Sequence, residues 1–451
     1  MEVRFLQLYK IPILMALSCA AFYFSFGYGL DRSDFPKLIL LYAALCFLSF
    51  KLVNMLKTDL KILIGLAVLF RLVFLFSLPN LSQDYFRFIW DGRLIAEGWN
   101  PYLYIPNELI ELQNFSIAQA TELINGMGSL SAGHFSNYPP LNQLIFAISG
   151  WISSSSILGS VIVFRLIIIL ADIGTFIFGR KLLKSMGMDE NRIFLYILNP
   201  FIIIEMTGNL HFESVMVFFL VLSLYLLYKG KWFLSAIILG LSISIKLLPL
   251  LLLPLLFKYF INFKKLSGFG KLLLFYFVCL LTVVLTFLPF YSAEVFSNFM
   301  ASIGLWFGKF EFNASIYYLV RWIGFEVKGY NIIETAGKVL PLITILIILG
   351  LTFFRNFRDT KQLVTNMLFA MTAYLLLSTT IHPWYLAIPL LLSVFTNFKY
   401  VLIWTGVVML SYYAYSNPEY QESFWLIAIE YLVVLYFLIV DIFKKKETAI
   451  V

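Results

Sequence analysis

Long apolar segments recur along the whole chain, and the charged residues are concentrated in the polar segments between them. The apolar segments lie near residues 11–30, 36–54, 60–79, 157–179, 193–207, 213–228, 231–246, 248–260, 271–289, 339–355, 363–380, 383–397, 400–416 and 422–443. The longer ones match the roughly 20 residues that a helix needs to cross a hydrocarbon core about 30 Å thick. Because they are continuously apolar and do not alternate, they predict membrane helices rather than barrel strands. We therefore expect an all-α integral membrane protein, a polytopic helical bundle with about 11–14 transmembrane segments.

The composition agrees with this class, since 61% of the 451 residues are hydrophobic and 13% are charged. The net charge of +8 does not indicate a nucleic-acid partner. Basic residues recur in every second loop, near residues 51–61, 180–192, 229–231, 258–271, 355–361 and 444–446. This is the positive-inside pattern, and it predicts that both termini are cytoplasmic. The three cysteines lie inside apolar segments without metal or disulfide spacing, so we expect packing residues.

The predicted topology places three larger features on the opposite, outer side. They are the loop 80–156, the turn 208–213 with the sequence GNLHFE, and the amphipathic stretch 290–338. A loop as long as 80–156 is unusual unless it carries function. The same side receives all three histidines of the chain and a lysine inside an apolar segment: His134, His211, His382 and Lys246.

The loop 80–156 has the signals of three helices lying against the outer surface. Ser82 is an N-cap for a helix that runs to about Glu97. A second helical stretch covers about 107–124, and the glycines of 126–133 indicate a flexible break. The run 137–140, Asn-Tyr-Pro-Pro, predicts the start of a third helix.

Asp84 is the leading candidate for a catalytic base. It follows directly after an apolar segment, where partial loss of solvation raises the pKa of a carboxyl toward the range of a general base. The alternative is that Asp84 caps its helix or pairs with Arg87. Asp91 has the same two interpretations, with Arg87 or Arg93 as its partner.

The other outer polar residues each have a binding and a structural interpretation. Lys246 either binds a phosphate or extends its ammonium to the interface. His382 either donates to a phosphate or sugar hydroxyl, or belongs to an interfacial aromatic belt. His211 and Glu213 share one turn and can position a sugar, and a metal site is only weakly indicated. The deeper charges, which either function or pair to hold helices together, are Arg71, Arg165 and Asp172.

A set of motifs between about residues 80 and 390 resembles a known family. The motifs are DYFRFIWDGR, NPY, YPP, GNLHFE, ISIKLLPLLLLP, FNASIYYL and HPWYL. In their order and outer placement they are similar to the bacterial integral-membrane mannosyltransferases of glycosyltransferase family 87 (the DUF2029 group) in the GT-C superfamily. The chain departs from the family pattern at Glu213, where an aspartate is expected, and it has no DxD motif near Asp84.

The resemblance implies a GT-C-type bundle, a single domain over residues 1–451, in the inner membrane with its active site outside the cytoplasm. It implies inverting transfer of a hexose, expected to be mannose, from a polyprenyl-phosphate donor to a glycolipid or glycan, with no required cofactor. Asp84 would be the base. The donor phosphate would be bound by Lys246 and His382, with Arg87 and Arg321 as further candidates. The candidates for sugar or acceptor binding are Trp90, Asp91, Asn100, Tyr102, Tyr138, His211, Glu213 and Asn313.

Two other classes of function are consistent with a polytopic helical protein. A transporter or flippase for lipid-linked sugars would expose polar residues on both membrane faces and along a path between them. This chain concentrates its polar residues on one face, which favours the transferase. A scaffold protein would leave the outer group of Asp84, His211, Lys246 and His382 without a role.

Overall fold

The computed structural model describes residues 2–261, 268–355 and 359–447, except for the side chains of 2–8, 306–309 and 445–447. The basic positions near 264, 265, 358, 445 and 446 that entered the topology prediction lie outside the described residues or side chains. Over the described part, the chain is helical, with one isolated bridge between Phe312 and Thr380. The all-α prediction is confirmed.

The α-helices are numbered in chain order. Their bounds are α1 Glu2–Tyr28, α2 Phe35–Met55, α3 Leu60–Leu72, α4 Asp84–Ala96, α5 Pro106–Leu109, α6 Ala120–Ala132, α7 Pro140–Ile152, α8 Ile157–Ser185, α9 Phe194–Ile197, α10 Glu213–Tyr228, α11 Trp232–Ile245, α12 Leu256–Phe260, α13 Phe269–Phe287, α14 Val295–Lys309, α15 Ile316–Lys328, α16 Ile333–Phe354, α17 Thr360–Leu377, α18 Ala387–Val394, α19 Tyr400–Val407 and α20 Phe424–Glu447. Between them lie a π-helix at Ile202–Gly208 and short 3-10 helices, among them Leu248–Leu255 and Pro383–Leu386.

Six helices of the described chain are long and apolar enough to cross a membrane, and a seventh span arises if one bent pair is counted as a single crossing. The six fall in α1, α2, α8, α13, α16 and α20. The bent pair joins the π-helix to α10 at an angle of 114°. The prediction of about 11–14 transmembrane segments exceeds this number because several apolar runs form helices shorter than 18 residues, such as Trp232–Ile245 and Pro383–Val394.

The loop helices follow the sequence prediction at two places and depart from it at a third. Helix α4 covers the predicted first helix, and α7 begins at Pro140 as predicted. The predicted helix over 107–124 is wrong, because α5 stops at Leu109 and the next helix begins only at Ala120. The predicted glycine break is present as a kink inside that helix, where Gly128 has φ 75° and ψ 162°. A Cβ atom on Gly126 would lie 2.6 Å from the ring of Phe86, so the glycine lets this ring pack against the helix.

Helices α4 and α7 pack with their backbones in close contact. A Cβ atom on Gly92 would lie 2.1 Å from the carbonyl oxygen of Phe146, and one on Gly150 would lie 2.3 Å from the carbonyl oxygen of Gly92. Trp90 is fully buried on the same helix. This contact fixes α4, and therefore the position of Asp84 at its first turn.

The deeper charges hold helices together. Arg71 on α3 pairs with Asp172 on α8, with Nε and Oδ2 2.8 Å apart. Arg165 has a different role: its guanidinium donates to the carbonyl oxygens of Leu75, Ser77, Thr207 and Gly208. These include the last two carbonyls of the π-helix, which its own turns leave without partners. The structural alternative of the sequence analysis, a pair that holds helices together, accounts for Arg71 and Asp172, whereas Arg165 is explained by its hydrogen bonds to backbone carbonyls.

Candidate active site

Four segments of the chain converge on one group of polar and aromatic side chains. Asp84 comes from the start of α4, His211 and Glu213 from the turn before α10, Lys246 from the end of α11, and His382 from the segment before α18. Asp84 interacts electrostatically with both Lys246 and Glu213, and Lys246 interacts in the same way with His211 and His382. The structure therefore brings together the principal residues predicted from the sequence.

The Asp84 carboxylate is partly buried and is free to accept a proton. Burial raises its pKa from 3.8 to about 6; Lys246 lowers the pKa and Glu213 raises it further. Among the described residues, no side chain or backbone N–H donates a hydrogen bond to this carboxylate. Asp84 does not pair with Arg87, because the guanidinium of Arg87 is taken by Asp91. The structure thus leaves Asp84 the properties expected of a general base.

Lys246 is positioned by the end of a helix. Helix α11 stops at Ile245, and Lys246 takes an extended conformation just before Leu248-Pro249 begin a 3-10 helix. Its ammonium donates to Oε1 of the fully buried Glu213 and lies 5.5 Å from the ring centre of Tyr385. The side chain remains 21% exposed. The lysine therefore presents a positive charge to the site and does not extend away to the interface.

Four rings form a continuous stack along this group. His211 lies on Trp384 with ring centres 3.7 Å apart, Trp384 on His382 at 4.5 Å, and His382 on Phe312 at 5.2 Å. Burial, with a smaller effect of Lys246, lowers the pKa of His382 to about 3. The His382 imidazole is therefore neutral near pH 7 and can act on a phosphate as an N–H donor but not as a cation.

Tyr138 lies next to this group, whereas Trp90 is a core residue. The hydroxyl of Tyr138 interacts with the charges of Asp84 and Arg87, and its ring packs edge-on against Phe88. The indole of Trp90 is fully buried against Phe115, so its ring has no face for a sugar.

Arg87 and Asp91 form a buried network beneath α4. Arg87 Nε lies 2.7 Å from Asp91 Oδ1, and Oδ2 of Asp91 accepts from Ser136 at 2.6 Å and from Gln143 at 2.9 Å. Arg87 also donates to the carbonyl oxygens of Ser131 and His134. These partners occupy both residues, so the structure assigns them to holding the loop helices. It gives no support to the predictions of phosphate binding by Arg87 and sugar binding by Asp91.

Asn100 and Tyr102 hold the turn after α4 against a distant segment. Asn100 donates to the carbonyl oxygen of Phe290 at 2.9 Å, and its own side-chain oxygen accepts from the backbone N–H of Tyr102. The buried Tyr102 donates its hydroxyl to the carbonyl oxygen of Tyr138 at 2.6 Å. Their contacts are structural, which argues against the predicted contact with sugar.

Arg321 and Asn313 belong to another polar cluster. Arg321 on α15 pairs with Glu311 at 2.5 Å. Asn313 is buried, donates its backbone N–H to Glu422 at 2.5 Å and its side-chain amide to Glu430 at 3.3 Å. Its neighbour Phe312 reaches the ring stack, so Asn313 anchors a wall of the site. The described contacts do not bring Arg321 to Asp84 or Lys246, and its predicted role in phosphate binding has no support in them.

The sequence analysis missed Glu205, which lies in the π-helix beside His211. Its Oε2 is 3.6 Å from His211 Nε2, and its Oε1 accepts from Tyr412 at 2.7 Å. An acid within an apolar segment was a signal that pointed to it. Within the described residues, no group of three or more metal-ligating side chains is suitable for an ion.

Comparison with known proteins gives one family and two curated relatives. The family model described as "Alpha-(1->6)-mannopyranosyltransferase, N-terminal domain" matches residues 37–262. Alpha-(1->6)-mannopyranosyltransferase A of Mycobacterium tuberculosis is 21% identical over 334 residues, which cover 70% of this chain and 61% of that protein. Alpha-(1->6)-mannopyranosyltransferase B of Corynebacterium glutamicum is 28% identical over 153 residues, covering 34% of this chain and 24% of that protein.

The matches thus span less than two thirds of the length of either relative. The region matched by the family contains Asp84, His211, Glu213 and Lys246, while His382 lies beyond it. These findings confirm the resemblance to bacterial polytopic mannosyltransferases.

Proposed function

Because the chain belongs to the alpha-(1->6)-mannopyranosyltransferase family, we propose that it is a membrane glycosyltransferase that moves mannose from a polyprenyl-phosphate donor to a glycolipid or glycan. The observation that carries the proposal is the pairing of a base with a cation in one site. The Asp84 carboxylate accepts no hydrogen bond from the described residues, and its pKa is raised to about 6. It also interacts electrostatically with the ammonium of Lys246.

The proposed reaction is a single displacement. The oxygen of an acceptor hydroxyl attacks the anomeric carbon while Asp84 takes the hydroxyl proton. The bond from that carbon to the phosphate oxygen breaks, and its electron pair stays on the lipid phosphate. A single displacement inverts the anomeric centre, so an α linkage such as the one in the relatives' names requires a β-linked donor.

Lys246 and His382 would stabilise the leaving phosphate. Negative charge grows on its oxygen in the transition state, and fixed donors aimed at such charge lower the barrier. The ammonium of Lys246 supplies charge, and the neutral His382 supplies one N–H. A leaving group with a single phosphate has less need of a metal than a nucleotide diphosphate has, and the expectation of no required cofactor stays a prediction.

We assign the site to the outer side of the membrane. Helix α8 follows the loop helices, and its last turns carry Arg180, Lys181 and Lys184. Its 29 residues extend about 44 Å, enough to separate the two ends by the hydrocarbon core. With the basic end in the cytoplasm, the loop helices and Asp84 would lie outside.

The test compares wild type with Asp84→Asn in detergent, using radiolabelled β-linked polyprenyl phosphomannose and a crude glycolipid extract. We expect wild type to label the glycolipid and the folded variant to lose at least a hundredfold in rate, the usual contribution of a general base. Equal rates would exclude Asp84 as the base. If wild type labels nothing but moves the donor across sealed liposomes, the protein is the transporter of the alternative hypothesis.

A further inference from the structure

A cavity of about 260 Å³ lies near the basic end of helix α8 and shares no lining residue with the candidate active site. Arg192, which lines it, belongs to the 3-10 helix Glu190–Ile193. That helix is tied to the last turns of α8, because Glu190 Oε2 accepts from Arg180 Nη2 at 2.7 Å. In the orientation proposed above, the cavity therefore lies at the level of the headgroups of the cytoplasmic leaflet.

The cavity is lined by two cationic side chains and by no acidic one. One is Arg192, and the other is Lys399, which stands in the turn between α18 and α19. Neither cation forms an ion pair within the described part of the chain. Burial lowers the pKa of the Arg192 guanidinium, while Asp189 raises it by less. A half-buried charge without an acid partner is costly unless an anion neutralises it.

Both cations have hydrogen-bond donors that the protein leaves unused. The guanidinium of Arg192 donates through Nη2 to the backbone carbonyl oxygen of Thr396. Its other two nitrogens donate to no described residue and are not fully buried. The ammonium of the exposed Lys399 has no acceptor among the described residues either. A guanidinium and an ammonium that line the same cavity with free N–H groups are suited to phosphate oxygens.

The turn that carries Lys399 is held in place by the protein itself. The hydroxyl of Thr396 accepts from the backbone N–H of Phe398 at 3.2 Å. Asp441 of α20 accepts from the backbone N–H groups of Lys399 and Tyr400 at 2.6 and 2.8 Å. The Asp441 carboxylate is thus engaged by two backbone donors, and it fixes the turn that presents the lysine to the cavity.

The rest of the lining indicates a ligand that is only partly polar. Most of it is formed by four apolar side chains, those of Leu195, Val394, Phe398 and Leu402. A free phosphate would leave this apolar surface without a partner, whereas a phospholipid offers both phosphate and hydrocarbon. Hydrocarbon is close by, because α20, whose Asp441 holds the turn, is a candidate membrane span that exposes Ile439 and Phe443. The volume is near the lower limit of roughly 300 Å³ for ligand sites, which suits a headgroup and not a whole lipid.

We propose that this cavity binds the headgroup of an anionic phospholipid of the cytoplasmic leaflet, with Arg192 and Lys399 as the ligands of its phosphate. Basic pockets between membrane helices on the cytoplasmic side bind such headgroups. The lipid joins the segment before α9 to the turn after α18, whose contacting residues Arg192 and Thr396 are 204 positions apart. A ligand that bridges two distant segments of the folded chain stabilises the folded state. Only the choice of leaflet rests on the proposed function.

The test measures lipid binding by the purified protein in detergent, where orientation in a membrane has no influence. Phosphatidylglycerol is titrated into a constant background of phosphatidylcholine, and bound lipid is measured by native mass spectrometry and by the melting temperature. We expect phosphatidylglycerol to bind saturably and to raise the melting temperature. The double variant Arg192→Gln with Lys399→Gln should weaken this binding at least about tenfold. A wild type that binds no phosphatidylglycerol would overturn the proposal.

The matched control is the double variant Lys229→Gln with Lys231→Gln. It removes two exposed charges from the loop between α10 and α11, and neither lysine lines the cavity. We expect it to bind phosphatidylglycerol as wild type does. An equal loss in the two double variants would show that surface charge attracts the lipid and that the cavity is not its site.

Two single variants keep the test decisive if the loss of Arg192 impairs folding. Lys399→Gln alters an exposed side chain that makes no described contact, and it should weaken binding about fivefold. Leu402→Trp fills the cavity and keeps both charges, so it should abolish saturable binding. Wild-type binding by folded Leu402→Trp would contradict the proposal.

The source of the phosphate is tested with glycerol phosphate in place of the lipid. We expect it neither to raise the melting temperature nor to displace phosphatidylglycerol. Equal protection by glycerol phosphate would show that the ligand is a free phosphate and not a lipid. No sugar donor or acceptor enters these measurements, so a protein that transfers no mannose would refute the proposed function without affecting this test.

Discussion

The ammonium of Lys246 donates a hydrogen bond to the carboxylate of Glu213, and this pair joins the end of α11 to the start of α10. Glu213 stands where the resemblance noted in the sequence leads us to expect a shorter aspartate. It is fully buried, and its second oxygen has no hydrogen bond among the described residues. Lys246 therefore neutralises a buried acid, and in the proposed reaction it has a second task, which is to present charge to the donor phosphate.

Two variants separate these tasks. Lys246→Met should destabilise the protein by about 3 kcal/mol, because it leaves Glu213 as a buried charge without a partner. Adding Glu213→Gln should restore most of the thermal stability, since the remaining amide is neutral. Transfer should stay low in both variants, as neither supplies a cation. A double variant that transfers at the wild-type rate would show that Lys246 does not act on the phosphate.

The rate of transfer should depend on the ionisation of Asp84. Its pKa is raised to about 6, so the carboxylate is the basic form above that pH and the protonated acid below it. We expect the rate to fall about tenfold for each pH unit below 6 and to level off above 7. Stopped assays between pH 4.5 and 8, on protein shown to stay folded, measure this profile. A rate that stays constant down to pH 5 is incompatible with Asp84 as the base.

The same residue should lower stability near neutral pH. The folded pKa of Asp84 is above its ordinary value of 3.8, so the folded state binds the proton more tightly and loses stability as the pH rises from about 4 to about 6. Asp84→Asn removes this cost and should stabilise the protein at pH 7 by about 1–3 kcal/mol. At pH 4 the gain should disappear. Unfolding at both pH values tests this; a variant less stable than wild type at pH 7 would contradict the cost of burial.

The sequence predicted those parts of the site that depend on local signals. Helices α4 and α7 begin near the predicted positions because caps and prolines act within a few residues. Which acid on α4 stays free was not predictable, because Arg87 lies at helical spacing from both Asp84 and Asp91. The structure shows that Arg87 pairs with Asp91, because Ser136 and Gln143 donate hydrogen bonds to the same Asp91 carboxylate.

Contacts between distant residues were beyond the reach of the sequence pattern. Glu205 meets Tyr412 across 207 residues of chain, and no periodicity indicates such a pair. The π-helix was also hidden, because its apolar composition equals that of an ordinary helix. The predicted number of membrane spans exceeds the six or seven helices that are long and apolar enough to cross, since an apolar run does not reveal where the backbone breaks.

Asp91→Asn should act on stability and not on the chemistry. The Asp91 carboxylate accepts from Arg87, Ser136 and Gln143, and an amide would turn a donor toward one of them and leave a buried guanidinium without its charge partner. We expect a loss of about 3–5 kcal/mol. The fraction that folds should keep the wild-type pH profile of transfer. Full stability combined with lost transfer would return Asp91 to the list of catalytic candidates.

Gly92→Ala should displace Asp84, the proposed base, without altering its side chain. The new Cβ would lie 2.1 Å from the backbone oxygen of Phe146, so α4 and α7 have to move apart, and the position of Asp84 changes with α4. Overpacking of this kind costs about 1–3 kcal/mol, and we expect transfer to fall by more than the folded fraction does. The matched control is Gly65→Ala in α3, where a Cβ meets nothing within 4 Å; it should keep full transfer and gain up to about 1 kcal/mol from helix propensity. Equal activity of the two variants would show that the backbone contact between α4 and α7 does not set the position of Asp84.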